Sequence, residues 1–395
     1  MDIQFTDEEV AFREEIQQFL RDELPEDWDP LNQGSPHSPE QLPFTKAMAD
    51  KLADKGWLTL AWPEEYGGQA RSIMEQTVYR EEMTYWGVPG TDLGTGAIGW
   101  VGPVLMISGT DEQKSEHLPP IANAERYWCT LYSEPGSGSD LASLQTSAVR
   151  DGDDYIINGQ KIWTSSGHIA DWGWLAARTD PDAPKHRGIS LFMLDMKSQG
   201  VTVRPIVNMA GSHEFNEVYF DNVRVPKGNL VGEENRGWYT LAVALDFERS
   251  GVGYSASARR TLETLVKYAK ETERNGKPLS EDPIVRHKLA ERKIEIEVSR
   301  WLSYQVAWMQ SQDMVPNAEA SMSKLFGTEL TQKVARTGMD ILGMTGQLSK
   351  GSKWAPLQGY IQRLSLSSVS STIAAGTSEI QRDIIARRGL GLPRA

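Results

Sequence analysis

Glu248 is the residue whose type and position most strongly indicate chemistry in this sequence. It lies in the stretch GWYTLAVALDFERSGVG, which runs from Gly237 to Gly253. The apolar residues of one predicted helix face, at steps of three, four and seven, are Trp238, Leu241, Leu245 and Val252. Glu248 falls on that same face between the last two. Because an unpaired buried charge is costly, this carboxylate is expected either to have an ion-pair partner or to serve a reaction.

An ion pair with a nearby arginine is the structural alternative for Glu248. Arg249 is adjacent in sequence and therefore points away from the Glu248 face, although arginines at 259 and 260 stay possible partners. Gly251 and Gly253 follow within the predicted helix, where a glycine costs roughly 1 kcal/mol relative to alanine. Two glycines beside a buried acid indicate room for a ligand close to the backbone.

Two polar stretches in the middle of the chain could bind a cofactor. In YSEPGSGSDLASL, Gly136 and Gly138 would let backbone N–H groups approach an anion or a flat ring, although a solvated loop explains the same composition. In GQKIWTSSG, Trp163 could cover a planar cofactor whose heteroatoms bond neighbouring hydroxyls. A tryptophan of the core is the alternative, since the chain has 13 of them.

Other motifs are weaker. Thr377 or Ser378 could cap a helix whose free N–H groups suit a phosphate. GTGAIG, at positions 94–99, matches the dinucleotide fingerprint but lacks a preceding strand and a βαβ unit, so a turn or a small-residue helix contact is the better interpretation. SMSK, at positions 321–324, matches a serine acyltransferase motif without its companions. The six histidines show no metal-ligand spacing, and no metal is expected.

Composition excludes several classes of protein. The chain has 395 residues, a formal net charge of −13 and no dense basic run, so nucleic acid is not an expected partner. No apolar run approaches the ~18–20 residues of a membrane span, and the N-terminus lacks the features of a signal peptide. Cys129 is the only cysteine, so an internal disulfide is impossible and a cytoplasmic location is expected.

The elements that must position these residues follow a helical, β, helical order. We predict a helical domain over 1–125, an antiparallel β-barrel or sandwich over 126–236 and a helical domain over 237–395. Long helices are predicted over 237–272, 283–312, 317–342 and 378–388, with Pro283 at the start of the second. Thr6 followed by Glu9 predicts a capping box at the start of the first N-terminal helix. Asn158-Gly159 predicts a type I′ hairpin turn between two short strands.

Seven motifs together resemble the acyl-CoA dehydrogenase family over essentially the whole chain. They are, in the order of that family, YSEPGSGSDL, NGQKIWTSSG, FNEVYFDNVRVP, NLVGEENRGW, LDFERSG, DILGMTGQ and GTSEIQR. The resemblance implies an α+β multidomain fold with an N-terminal helical domain, a central antiparallel β-barrel and a C-terminal four-helix bundle. It also implies FAD, a homotetramer, a role in lipid metabolism such as β-oxidation, and oxidation of an acyl-CoA thioester to the 2,3-enoyl-CoA. An electron transfer flavoprotein is the implied electron acceptor.

The resemblance also assigns roles to individual residues. Those implied to bind FAD are Thr130, Leu131, Tyr132, Ser133, Gly138, Ser139, Trp163, Thr164, Ser165, Arg274, Thr377 and Glu379. Those implied to bind the acyl-CoA substrate are Ser139, Asp246, Arg249 and Ala375, the last through its backbone N–H.

The catalytic base is the point on which the family divides. Many members carry a glutamate just before the Gly-Thr-Ser of the last motif, but this chain has Ala375 there. Members similar to the isovaleryl and long-chain enzymes carry it in a motif like LDFER, where Glu248 lies. The resemblance therefore implies that Glu248 removes the α proton while flavin N5 accepts the β hydride, and it favours a branched or bulky acyl group.

Departures from the family pattern leave alternatives. Asn275 stands where the cross-subunit FAD motif has an aromatic residue, and Asp340 where glutamine is common. They admit a heterotetramer in which a partner chain completes each site. An oxidase that passes electrons to O₂, and a non-catalytic subunit or acyl-CoA-binding scaffold, stay open as further alternatives.

Overall fold

The computed structural model describes residues 4–31, 33–241 and 251–393. The chain divides into two compact units. The unit we call helical comprises Met1–Gln33, Ser72–Val88 and Arg249–Ala395, and the unit we call the sheet unit comprises Gly34–Arg71 and Pro89–Glu248. The predicted three-domain boundaries near 125 and 236 stay a prediction. None of the helices within the described residues is both long and apolar enough to span a membrane.

The N-terminal helices are shared between these units. Helices α1 (Asp7–Glu23) and α3 (Ile73–Tyr85) belong to the helical unit, and α2 (Leu42–Asp54), α4 (Gly102–Ser108) and α5 (Asp111–Ala122) belong to the sheet unit. The predicted capping box starts α1: Thr6 Oγ1 accepts a hydrogen bond from Glu9 N–H at 3.2 Å, and Thr6 N–H donates to the Glu9 carboxylate at 2.9 Å.

The C-terminal bundle contains the helices α6 (Val252–Glu271), α7 (Pro283–Ser311), α8 (Ala318–Leu342), α9 (Tyr360–Ser371) and α10 (Ser378–Ile384). The predictions for α7, α8 and α10 are confirmed to within a few residues, and helical turns continue after α10 through Ile385–Gly389. Asp282 caps α7 by accepting from the N–H groups of Ile284 and Val285. The sequence patterns gave no prediction for α9.

The predicted continuous helix over 237–272 is wrong at Gly251. Residues 237–241 are helical, and α6 starts anew at Val252. Gly251 has φ +66, in the left-handed region, where an α-helix cannot continue. A Cβ there would lie 2.8 Å from Ser323 Oγ, so the close approach also requires glycine. The helical spacing that grouped Val252 with the residues before it therefore does not run through Gly251.

The sheet unit is organised around eight strands. They are β1 (Trp128–Leu131), β2 (Ser147–Asp151), β3 (Asp154–Lys161), β4 (Trp172–Arg178), β5 (Ile189–Asp195), β6 (Val201–Val207), β7 (His213–Pro226) and β8 (Leu230–Val231). Their order is β6-β7-β3-β2-β4-β5-β8, with β1 pairing to β4. The pairs β1–β4 and β2–β4 are parallel and the others antiparallel. Among the described residues no hydrogen-bonded pair joins β6 to β8, so the sheet is not a closed barrel.

The predicted hairpin turn at Asn158-Gly159 is wrong. Both residues lie inside β3, and the register of β3 against β7 shifts between Ile157 and Gly159. A Cβ on Gly159 would lie 2.6 Å from Thr146 Oγ1, so glycine is required there by close packing at a bulge. The chain instead turns at Gly152, which has φ +64 between β2 and β3.

The core of the sheet unit is dense and aromatic. Cys129 and Leu131 of β1 and Phe192 of β5 are all 0% exposed within one apolar cluster, and Tyr155 packs edge-on against Phe192. The side chain of Leu131 fills the space above Gly173, where a Cβ would lie 2.3 Å from it. These contacts fix the end of β1, from which the first predicted cofactor residues follow.

Candidate active site

The end of β1 leads into the glycine-rich loop. Thr130 and Leu131 are the last residues of β1, and the Ser133 carbonyl accepts from Ile162 N–H at 2.9 Å just beyond the sheet. Because the Leu131 side chain lies in the core, only its backbone could contact a cofactor. The Tyr132 ring stacks on Trp100 with 6.4 Å between the ring centres.

The loop over 134–140 leaves its glycines beside empty space. Glu134 and Ser137 exchange backbone hydrogen bonds of 2.9 and 3.0 Å, which close the turn. A Cβ added to Gly138 would meet no atom within 4 Å, and Ser139 is exposed. Thus the backbone here can be approached closely by a ligand, as the sequence predicted.

A buried ion pair supports this loop from below. Lys161, 0% exposed, donates from Nζ to Glu134 Oε1 at 2.8 Å and to the Tyr132 carbonyl at 2.9 Å. The Glu134 carboxylate also accepts from the N–H groups of Gln145 and Thr146. Burial lowers the pKa of Lys161 to about 8 in spite of the carboxylate. The pair ties the end of β3 to the loop that follows β1.

Trp163, Thr164 and Ser165 form a bent segment directly after β3. Trp163 has φ +60 and is 57% exposed, so it is not a core residue. The backbones of Thr164 and Asn216 exchange two hydrogen bonds of 3.0 Å, which hold the segment against β7. Thr164 Oγ1 is buried and has no hydrogen-bond partner among the described residues. A buried hydroxyl without a partner is unusual and fits a ligand atom bound there.

The segment before α10 carries the predicted residues of the helical unit. Ala375 has φ +52, and Gly376 has φ +86. The Gly376 carbonyl accepts from Lys324 Nζ at 2.7 Å, and Gln381 Nε2 donates to the Ala375 and Gly376 carbonyls at 3.3 Å each. These two side chains hold the turn in its left-handed conformation.

A polar cleft of about 360 Å³ opens beside this turn. Its lining residues are Glu329, Gln332, Lys333, Arg336, Thr372, Ile373, Ser378, Glu379 and Arg382. Thr377 accepts from Ile380 N–H at 3.2 Å and so caps α10, as predicted. Ser378 Oγ is buried and has no hydrogen-bond partner within the described chain. Two of the three cationic side chains are already paired, Arg382 with Glu329 and Lys333 with Glu295, each at 2.7 Å. Glu329 and Glu379 add two carboxylates to the lining, so the cleft suits a polar ligand better than a highly charged anion.

Arg274 lies apart from this turn in the sequence and makes a structural contact. It belongs to a two-stranded hairpin of β9 (Glu273–Arg274) and β10 (Lys277–Pro278), which turns at Asn275 and Gly276 with φ +55 and +75. Its Nη2 donates to the Ile341 carbonyl at 2.9 Å and so satisfies the C-terminal end of α8. Part of the guanidinium is therefore already used within its own chain.

Three predicted residues, Asp246, Glu248 and Arg249, lie outside the described residues. The predictions missed several residues that fix the site. Asn216 holds Thr164, and Lys161 with Glu134 holds the glycine-rich loop. The sequence signal for the pair was weak, because Glu134 and Lys161 lie within motifs that are rich in polar residues.

The comparisons with known families agree with the order of the elements. The models of the acyl-CoA dehydrogenase N-terminal, middle and C-terminal domains match residues 6–125, 129–223 and 235–390. The chain belongs to the acyl-CoA dehydrogenase family. It is therefore an acyl-CoA dehydrogenase enzyme and a flavoprotein that uses FAD, and it has the fold of that family.

Similar acyl-CoA dehydrogenases include proteins from actinobacteria. The chain is 41% identical over 87% of each chain to "Acyl-CoA dehydrogenase FadE26" of Mycobacterium tuberculosis. Among solved structures, "Tcur3481-Tcur3483 steroid ACAD" superimposes with a TM-score of 0.89 at 37% identity over 100% of both chains. The ChsE4-ChsE5 complex from Mycobacterium tuberculosis superimposes with a TM-score of 0.88 at 37% identity, again over 100% of both chains.

The residues of the sheet unit fit the FAD that the family uses. The hydroxyl of Thr164 lacks a partner, Gly138 leaves open space, and Trp163 presents an exposed ring. These are neutral donors and acceptors beside a flat aromatic surface, which suits a planar heterocycle with polar edges. In the helical unit, the cleft beside Thr377 offers the guanidinium of Arg336 and the unpaired hydroxyl of Ser378 to a polar group of the cofactor.

Proposed function

We propose that this acyl-CoA dehydrogenase removes the α proton of its substrate with Glu248 and passes the electrons to an electron transfer flavoprotein. The observation that carries the proposal is the turn before α10. Residues 370–376 read SSTIAAG and contain no carboxylate, so the position used by many family members cannot supply the base. The LDFER motif, which contains Glu248, is the position at which other members of the family are expected to carry the base.

Each step can be assigned to a residue of this chain. The carboxylate of Glu248 takes a proton from the carbon beside the thioester, and the N–H of Ala375 donates to the thioester oxygen as it gains negative charge. Lys324 and Gln381 keep that N–H in place through the carbonyls of the same turn. Thr164 and Trp163 hold and shield the flavin, and bound FAD supplies the acceptor for the β hydride.

The proposed substrate is a CoA thioester with a bulky, ring-bearing acyl group of the steroid type. The sequence favours a branched or bulky group because the base is in the LDFER motif. The match to "Tcur3481-Tcur3483 steroid ACAD" over the full length of both chains supports the steroid class. Small residues at Ala374 and Ala375 would leave space near the reacting carbons.

The decisive experiment is an anaerobic titration of the purified holoenzyme with CoA thioesters. The assay follows the absorbance of oxidised flavin at roughly 450 nm. Wild type should lose this absorbance more readily with a steroid side-chain thioester than with straight-chain thioesters. Glu248→Gln should keep the bound flavin but slow bleaching by about 10²- to 10⁴-fold, the usual worth of a general base. The matched control Glu271→Gln removes an exposed helix carboxylate and should bleach as wild type.

Transferring the base provides the complementary test. Ala375→Glu in the Glu248→Gln background places a carboxylate at the position used by other family members, and it should restore part of the bleaching rate. Normal α-proton exchange in Glu248→Gln would show that another group is the base. Peroxide formed in air at the rate of flavoprotein reduction would favour an oxidase instead.

A heterotetramer is the proposed assembly, because the cross-subunit motif of this chain is altered. Arg274 already donates to Ile341, and Asp340 pairs with Lys288 at 2.5 Å. Because these two positions already make contacts within their own chain, we propose that a different partner chain completes each FAD site. Co-expression with a second dehydrogenase chain, followed by native mass and FAD counting, should give half as many flavins as chains. One flavin per chain in the isolated protein would contradict it.

A further inference from the structure

The segment after β3 adopts a conformation that must be held by its surroundings. Two of its residues, Trp163 and Ser166, have φ of +60 and +61 although neither is glycine. A non-glycine residue in the left-handed region is strained and persists only where neighbouring groups fix it. The groups that fix these two residues therefore also fix Thr164, which lies between them.

Asn216 of β7 is the central one of these groups, and its side chain is fully buried. Its Nδ2 donates to the Thr164 carbonyl at 3.0 Å and lies 3.2 Å from His168 Nδ1. Its Oδ1 lies 2.8 Å from His213 Nε2. Both amide hydrogens and the amide oxygen are thus used, so each contact depends on an amide rather than on another polar group.

This arrangement determines the protonation of the two histidines. Because Asn216 Nδ2 donates, His168 Nδ1 must accept and carry no proton; because Oδ1 accepts, His213 Nε2 must carry one. The two imidazole rings stack with 4.1 Å between their centres. Burial and then the neighbouring His213 lower the pKa of His168, which keeps it neutral.

A second anchor holds the other end of the segment. Ser166 Oγ lies 2.9 Å from His37 Nδ1 and 3.3 Å from Thr95 Oγ1, and Ser166 N–H donates to the Glu214 carbonyl at 3.0 Å. Burial lowers the pKa of His37 to about 4 and raises that of Glu214, so both favour their neutral forms. The histidines do not form a metal site: no group of three or more potential ligands able to hold a metal occurs in the described part of the chain.

We propose that Asn216, with His168 and His213, is a positioning unit that shapes Trp163–Ser165 for the flavin and releases it when His168 is protonated. The proposal rests on the proposed role of that segment in covering the FAD. Asn216 acts through the Thr164 carbonyl and does not itself contact the reacting atoms. Protonation at His168 Nδ1 would place two donors against each other, because Oδ1 of the amide is engaged with His213.

The sign of the pH dependence follows from the neutral histidine. Among the described residues, His213 stacks on His168, and His37 is close enough to interact with it electrostatically. Glu214 belongs to the same region through its carbonyl, which accepts from Ser166 N–H. The contact with Asn216 is intact above the pH at which His168 titrates and is lost as the pH falls through its lowered pKa. An aspartate at 216 reverses this, since a carboxylate repels the Thr164 carbonyl at neutral pH but accepts from a protonated His168.

The test measures FAD affinity and backbone exchange of the full-length protein between about pH 4.5 and 8.5, because the pKa of His168 is lowered from the ordinary histidine value of about 6.5. Apoprotein is reconstituted with FAD, and hydrogen exchange is followed in the peptide covering 162–170. Asn216→Ala should weaken FAD binding by about 10- to 100-fold at pH 8, from two or three lost hydrogen bonds, and should increase exchange of that peptide. Asn216→Asp should bind FAD more tightly at the acid end of this range than at pH 8, whereas wild type should bind it less tightly there than at pH 8.

Controls separate this proposal from a general loss of structure. Asn123→Asp places the same charge on the exposed end of α5 and should behave as wild type. If Asn216→Ala does not fold, His168→Leu at the half-buried ring should abolish the acid limb of FAD affinity. Wild-type affinity and exchange in Asn216→Ala, or a persisting acid limb in His168→Leu, would overturn the proposal. If wild type binds FAD with the expected pH dependence but acyl-CoA does not bleach it, the proposed function fails and the positioning unit stands.

Discussion

Replacing Lys161 by methionine is expected to destabilise the sheet unit by about 3 kcal/mol. Removing one partner of a buried ion pair costs about 3–5 kcal/mol because it leaves an uncompensated charge. Lys161 is fully buried and Glu134 is 8% exposed, so solvent screens the remaining carboxylate little. Glu134 keeps the N–H groups of Gln145 and Thr146, at 2.6 and 2.9 Å, and this favours the lower end of the range.

Calorimetry of the purified protein would measure this loss. A domain of about 150–250 residues loses roughly 2–4 °C of melting temperature per kcal/mol, so Lys161→Met should lower the transition of the sheet unit by about 6–12 °C. The matched control is Lys185→Met, which breaks an equally short pair of 2.8 Å with Asp140, but one whose side chains are 51% and 58% exposed. That surface pair should contribute less than about 1 kcal/mol.

The double variant tests the cause. If the cost comes from the stranded carboxylate, Lys161→Met/Glu134→Gln should lose less than the two single variants added together. A melting temperature of Lys161→Met within about 2 °C of wild type would correspond to a loss of less than about 1 kcal/mol, and it would refute the argument from charge burial. So would strictly additive losses, since they would show that the two side chains do not interact.

Two further predictions concern the acid limb of stability and the packing of the glycines. Burial opposes ionisation of Glu81, but hydrogen bonds from Arg300 and Tyr304 outweigh burial and lower the pKa of Glu81. The contribution of Glu81 to stability is therefore present at neutral pH and is lost as the pH falls below about 4.5, the ordinary pKa of this carboxyl group. Glu81→Gln should cost about 3–5 kcal/mol at pH 7 and flatten the loss of stability on acidification, as followed by circular dichroism. Gly102→Ala should destabilise by more than about 1–3 kcal/mol because its Cβ would lie 1.9 Å from the Trp62 ring, whereas Gly228→Ala, with no atom within 4 Å, should be neutral in thermal melts.

The sequence predicted the elements whose signals are local. The Thr6–Glu9 capping box and Pro283 at a helix start involve residues three or four apart, and both are confirmed. Asn-Gly was less reliable: Asn275-Gly276 forms a hairpin turn, but Asn158-Gly159 lies within a strand. The second pair differs because Thr146, the residue just before β2, approaches Gly159 closely, and a short sequence window around Asn158 does not include that residue. Helix α5 was missed because Pro119 and Pro120 lie within it.

The candidate site was predicted in the same uneven way. Thr164 and Trp163 were predicted because their motif is continuous, and their role stays a prediction, which the unpaired hydroxyl of Thr164 supports. Asn216 and His37 were missed since they are 52 and about 130 residues from their partners in the segment. Their role depends on sheet pairing and on the fold of a distant segment, neither of which leaves a pattern in either stretch alone.

The solitary thiol offers a built-in experimental handle. Cys129 is wholly enclosed in the sheet core, and burial raises its pKa, so thiol reagents should not modify it in the native state. The rate at which a thiol reagent labels Cys129 would then measure how often the sheet opens transiently. Because Cys129 does not react in the native state, a dye could be attached to a cysteine engineered into the surface without first replacing Cys129. The single buried thiol therefore reports on opening of the sheet core in the unmodified protein.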